Sequence, residues 1–127
     1  MAVLGSSVPR KEDHRLLTGR GRYVSDLTLV GMVHAAFVRS PFAHATVTAL
    51  DTSAARAGAG VLAAVGGDDP AFAAVVLTAR SMLAGYVETT QPVLAWPTVR
   101  FAGEAVAVVV AGDRAAAVDA AELVEVG

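Results

Sequence analysis

The stretch EAVAVVVA at residues 104–111 places seven apolar residues in succession between Glu104 and Gly112. A bilayer crossing needs about 20 apolar helical residues, so this run is too short for a membrane span. With no polar residue at every second position it reads as a strand buried on both faces. Asp113 follows as the cap of a helix over 114–122, and 123–126 begins another strand. The expectation is a domain that stops inside an element, as if cut from something longer.

The rest of the chain must pack around that strand with small residues. The hydrophobic fraction is 54%, but 27 of those residues are alanine and 21 are valine, so the core is closely packed and poor in aromatics. A length of 127 residues suits one domain and is too short for a cofactor-binding enzyme of several domains.

Upstream, residues 32–39 (MVHAAFVR) predict a strand broken at Ser40-Pro41, because proline turns its predecessor away from helix. In residues 45–51 (ATVTALD), Val47 and Ala49 alternate with Thr46 and Thr48, the period of a strand with one face partly wet. Asp51 or Thr52 then caps a short helix over 53–57, ended by Gly58 and Gly60, and 61–65 is a further strand. Asp69 and Pro70 are good first residues for a helix. Phe72, Val75, Val76, Ala79, Met82 and Leu83 follow at helical spacing, which predicts a helix as far as Gly85. Residues 86–97, with Pro92 and Pro97, read as an irregular connection, and 99–101 as a strand broken at Gly103. Residues 45–65 and 105–126 each run strand, capped helix, strand, and such a unit in duplicate would build a mixed sheet with helices on it. The fold class is therefore α/β (α+β), with residues 1–31 as an extended arm and 32–127 as the domain.

Several chemistries are excluded or weakened. There is no cysteine, which rules out disulfides, thiolate zinc and cysteine-bound iron–sulfur clusters within these residues. A net charge of −2 gives no general attraction to nucleic acid. Residues 1–15 show no apolar signal core, so the cytoplasm is the expected compartment. Gly19-Arg20-Gly21 lacks the third glycine, the preceding buried strand and the following helix of a dinucleotide loop, and reads as a tight turn. His14, His34 and His44 have no metal-ligand spacing. Asp68-Asp69 offers two neighbouring carboxylates, but capping already explains Asp69. No serine has the setting of a hydrolase nucleophile. Glu104, opening the buried strand, is a candidate for acid–base work against the plainer role of a strand-end residue bonded to nearby backbone. Arg10, Lys11, Arg15, Arg20 and Arg22 are either a solvated arm balanced by Glu12, Asp13 and Asp26 or a docking arm for an acidic partner.

Three phrases carry a resemblance. VPRKEDHRLLTGRGRYVSDL (8–27), GMVHAAFVRSPFAHATVTALDTSAA (31–55) and PVLAWPTVRFAGEAVAVVVAGDRAAAVDAAELVEV (92–126) resemble, in order and spacing, the start of large subunits of the xanthine dehydrogenase, aldehyde oxidase and carbon monoxide dehydrogenase family. The resemblance implies a hammerhead-type mixed sheet with short helices packed on it, lying ahead of the domains that bind a molybdenum–pterin cofactor. It implies a parent oxidoreductase that oxidises a carbon centre with water, or carbon monoxide, and passes electrons to iron–sulfur clusters and FAD on partner chains. The family's cofactor loops and catalytic glutamate lie beyond this length, so the resemblance assigns no catalytic, cofactor-binding or metal residue here. It adds Arg39 to Arg20 and Arg22 as residues packing against later domains or a partner subunit. Val30, Ala59 and Ala105 stand where relatives often have proline, and Phe42 where histidine is frequent. Residues 66–91 match least. Two functions follow: a structural module of a molybdenum hydroxylase large subunit, or a free-standing protein-interaction domain on the same fold.

Overall fold

The computed structural model describes Gly5 and residues 7–127. The described chain divides into two compact units, one ending at Met32 and the other running from Val33 to Gly127.

The first unit is not uniformly extended. Its α1, Asp13–Leu17, forms where Asp13 can stand in the first turn, and the Asp13 carboxylate accepts the Arg10 N–H at 3.1 Å. The Thr18 hydroxyl closes the helix by donating to the His14 carbonyl at 2.7 Å. Gly19 follows at φ +69°, a left-handed conformation that glycine adopts without steric cost, and the turn lies at Thr18-Gly19, at the start of the Gly19-Arg20-Gly21 stretch. A 3₁₀ turn at Val24–Asp26 is held by the Tyr23 N–H donating to the Asp26 carboxylate at 2.9 Å.

The second unit runs β1 (His34–Arg39), β2 (Ala45–Thr46), β3 (Leu50–Asp51), α2 (Ser53–Arg56), β4 (Val61–Gly66), α3 (Pro70–Ala73), β5 (Val76–Ala79), β6 (Thr89–Pro92), β7 (Thr98–Val99), β8 (Ala105–Ala111), α4 (Arg114–Ala121) and β9 (Glu125–Val126). The apolar run is β8, and it is the centre of a three-stranded sheet in the order β1-β8-β4. Period two splits it between two faces. Val109 packs with Ala64 of β4, Ala55 of α2 and Ala120 of α4 in one core cluster, so the helices cover that face. At the start of the strand, Val106 joins Val47, Ala95 and Val99 in a second cluster.

Each strand pairing among the described residues is antiparallel. The duplicated units therefore do not close as parallel βαβ pairs. They exchange strands instead: β3, which precedes α2, pairs with β9, which follows α4, while β4 pairs with β8. Small residues let the two helices share one core, since Ala55 and Ala120 are both buried there. Short helices packed on strands, the α/β (α+β) expectation, are what the chain forms.

Two readings are corrected. The segment expected as one strand over 45–51 changes partner from β7 to β9. Thr48 and Ala49 both donate their N–H groups to the Gly127 carbonyl (2.7 and 3.3 Å), and the alternation breaks at Ala49, which is exposed. The helix expected from Pro70 to Gly85 is one turn only. Asp69 does cap it, accepting the Ala71 N–H at 2.9 Å, but Val76–Ala79 is a strand paired with Thr89–Pro92, inside the stretch read as irregular. β-Branched Val75, Val76 and Thr78 favour extended backbone, and the partner strand decides between the two periods.

Candidate interaction surfaces

Arg10, Lys11, Arg15, Arg20 and Arg22 all lie exposed on the first unit, and among the described residues none forms an ion pair. Arg39 belongs to the second unit. It ends β1, donates from Nη1 to the Gly103 carbonyl at 2.8 Å, and holds its guanidinium carbon 5.6 Å from the Phe37 ring centroid. The fork is thus fixed by a hydrogen bond and a cation–π contact while the residue stays exposed.

Glu104 is only 5% exposed. One carboxylate oxygen accepts the backbone N–H of Arg100, and the other lies 3.7 Å from the Arg100 guanidinium with no hydrogen bond of its own. Its backbone N–H donates to Phe101 and its carbonyl accepts from Ser40, so the residue ties the β7–β8 turn to the end of β1. This is the strand-end role. Among the described residues no histidine, serine or second carboxylate is bonded to it.

His14 and His44 are exposed and His34 is half-buried. No group of three or more His, Asp or Glu side chains that could hold a metal ion occurs among the described residues. Asp68 is exposed, and Asp69 is engaged as a cap. At Asp51 the Ser53 backbone N–H (2.8 Å), and then its hydroxyl, hold the carboxyl below its usual range. That too is turn chemistry. No helix among the described residues is long and apolar enough to cross a membrane.

What the second unit does present is uncovered apolar surface. Opposite the helix-covered face of the sheet, Phe37 stands across from Val108 and Ala35 across from Val110, with Val65 and Ala63 on the far strand. Phe37 is 51% exposed. The sheet edge at β4 is blunted: Leu62 sits in a register shift, and the Arg56 Nε donates to the Ala64 carbonyl at 2.8 Å. Bulges and capped carbonyls discourage strand addition, which leaves the flat face as the more available surface.

Depressions lie beside the core. An apolar cleft of about 210 Å³ is lined by Arg39, Ser40, Pro41, Phe42, Ala45, Thr46, Val47, Val99, Val106, Val126 and Gly127. A wider one of about 360 Å³ lies between the β5–β6 hairpin and Arg100-Phe101. The hairpin itself carries exposed Met82, Leu83 and Val87 in its connecting loop, with an Arg80–Glu88 ion pair of 3.0 Å across the base. The first cleft joins residues 42–47 to residues 106 and 126, which are far away in the chain, and sequence reading missed them as a group; the exposed Phe42 was the one local sign.

Residues 18–127 match the family described as Aldehyde oxidase and xanthine dehydrogenase, a/b hammerhead domain. The chain is 49% identical over 123 residues to the nicotine 6-hydroxylase large subunit of Paenarthrobacter nicotinovorans, covering 96% of this chain and 15% of that protein. Among solved structures it is similar to quinoline 2-oxidoreductase from Pseudomonas putida 86, with a TM-score of 0.81 and 49% identity over 97% of this chain and 16% of that one. It is also similar to a Cu,Mo-CO dehydrogenase, with a TM-score of 0.75 and 39% identity over 97% of this chain and 15% of that one. The chain thus spans about 15% of the length of the proteins it matches.

Proposed function

Because this chain belongs to the aldehyde oxidase and xanthine dehydrogenase a/b hammerhead domain family, we propose that it is the structural N-terminal module of a molybdenum hydroxylase large subunit and is not catalytic alone. The observation that carries this reading is the alignment itself, which uses nearly all of this chain and only 15% of a hydroxylase large subunit. The residues support it from the other side. The buried carboxylate of Glu104 is bonded within a turn, to the backbone N–H of Arg100.

In this reading the complete enzyme is an oxidoreductase of the xanthine dehydrogenase, aldehyde oxidase or carbon monoxide dehydrogenase type, working in the cytoplasm. Its molybdenum–pterin sits in the other domains of the large subunit and supplies the oxidation chemistry, with iron–sulfur clusters and FAD on partner subunits. With no cysteine, the residues present here offer no thiolate to an iron–sulfur cluster. Their work is docking. Arg10, Lys11, Arg15, Arg20, Arg22 and Arg39 are its cations, and the Phe37–Val108 face of the sheet is its apolar surface.

The test is to read the DNA downstream of the Gly127 codon and to assay the purified chain for metal. An open frame encoding several hundred further residues, with a chain that holds no stoichiometric molybdenum, is expected. Stoichiometric metal or turnover by the 127 residues alone would overturn the reading. A stop codon together with a monodisperse monomer would favour the free-standing interaction domain.

A further inference from the structure

We infer that the 210 Å³ cleft beside Arg39 is a docking socket for a protein segment that presents one large apolar side chain next to a carboxylate. The inference rests on the reading of this chain as a docking module and names the chemistry of one contact.

The floor of the cleft is core. Val47, Val99 and Val106 are 5%, 1% and 1% exposed, and they belong to one buried cluster that does not yield easily. Its walls are the loop after β1, with Pro41 and a 64% exposed Phe42, and Val126 of β9. A cavity of roughly 150 Å³ takes a benzene ring, and small-molecule and cofactor sites run from roughly 300 to 1,000 Å³. At about 210 Å³ the cleft is sized for a leucine, methionine or phenylalanine side chain. An apolar lining gives such a guest the full benefit of leaving water.

Arg39 supplies the polar half. Arg39 is among the residues lining the cleft, and its guanidinium is oriented by the Gly103 carbonyl at 2.8 Å and by the Phe37 ring. Within this unit it has no carboxylate partner. One Nη1–H is used on Gly103, and the remaining donors of the fork are open to a carboxylate beside the inserted side chain. An aromatic and an arginine framing an apolar pocket are the residue types that dominate protein docking energy. An oriented, unpaired cation beside an apolar socket selects an acidic partner over a neutral one by charge complementarity.

The test is to pan a random heptapeptide library on the intact 127-residue chain and measure the enriched peptides by titration. Enrichment of Leu, Met or Phe within two residues of Asp or Glu is expected, with amide shifts at Val47, Val106 and Val126. Arg39→Gln should weaken these peptides about tenfold, the scale of one charged hydrogen bond, and Phe42→Ala should weaken them as well. Both changes are on exposed residues, and amide spectra of each variant confirm the fold. Absence of the apolar–acidic pattern overturns the inference, as does binding that neither substitution alters. Indole binding in the cleft with full affinity for the Arg39→Gln chain would make it a small-molecule site and overturn it too. None of these outcomes depends on the downstream reading frame, so the socket and the module reading fail separately.

Discussion

Glu104 reaches back four residues to accept the backbone N–H of Arg100, and the same arginine's guanidinium stands 3.7 Å from its second oxygen. The carboxylate is almost wholly buried, so removing it leaves a backbone donor without a partner. Glu104→Ala should destabilise the second unit by about 1–3 kcal/mol, read as a lower urea midpoint. Glu104→Gln keeps an oxygen for the Arg100 N–H and should lose less. Equal losses for the two substitutions would show that the turn does not depend on this acceptor.

Val109 is fully buried between α2, β4 and α4. Val109→Ala removes two methyl groups where small alanines on every side cannot collapse to fill the space. A loss of about 2 kcal/mol or more is expected from transfer and cavity together. Thermal or urea unfolding measures it, and Val108→Ala, on the open face of the same strand, should cost clearly less.

Asp113 caps α4 by accepting the Ala116 N–H at 2.9 Å from an extended backbone. Asp113→Ala should cost about 1 kcal/mol, and Asp113→Ser much less. Amide hydrogen exchange at Ala116 and Ala117 should quicken in the alanine variant first.

Asp51 gives the acid limb a definite sign. Hydrogen bonds from Ser53 hold its folded pKa below the ordinary 3.8. Its contribution is therefore present at neutral pH and is lost as pH falls below about that value, through the lowered folded one. Asp51→Asn should show its largest stability difference from the native chain above pH 4, and the two unfolding curves should converge as pH drops further. A gap that stays constant down to pH 2 would mean that the Ser53 bonds do not stabilise the fold.

The exposed Phe37 tests whether the sheet face is a surface meant to be covered. Phe37→Ser should leave the unfolding midpoint within about 1 kcal/mol, because the ring is half in water already. It should lower self-association and dye binding in ultracentrifugation and fluorescence assays. A large stability loss would instead place Phe37 in the core.

These tests also mark where the sequence was readable. β8 and α4 were legible because each is announced locally, by seven apolar residues in a row and by an aspartate at the right offset. The β5–β6 hairpin was not, because VVLTARSML has apolar residues at helical spacing, and the strand is decided by Thr89–Pro92, ten residues or more away. The same limit hid the cleft. Phe42 and Val126 line one cleft because β9 pairs with β3, a long-range pairing with no local signature. The exposed arginines were legible as charges, but the orientation of Arg39 by Gly103 and Phe37 was not.

The exchange of strands between the two halves has a consequence for synthesis. β1 and β4 flank β8, so both edges of the sheet leave the ribosome before the strand that joins them, and Leu50 waits for Val126. Until then the nascent chain carries unpaired strands rich in valine and alanine, a state prone to sticking to its neighbours. Contacts this distant in sequence also slow closure. The growing polypeptide is thus most vulnerable during the interval between residues 66 and 111, when chaperone capture would do the most good.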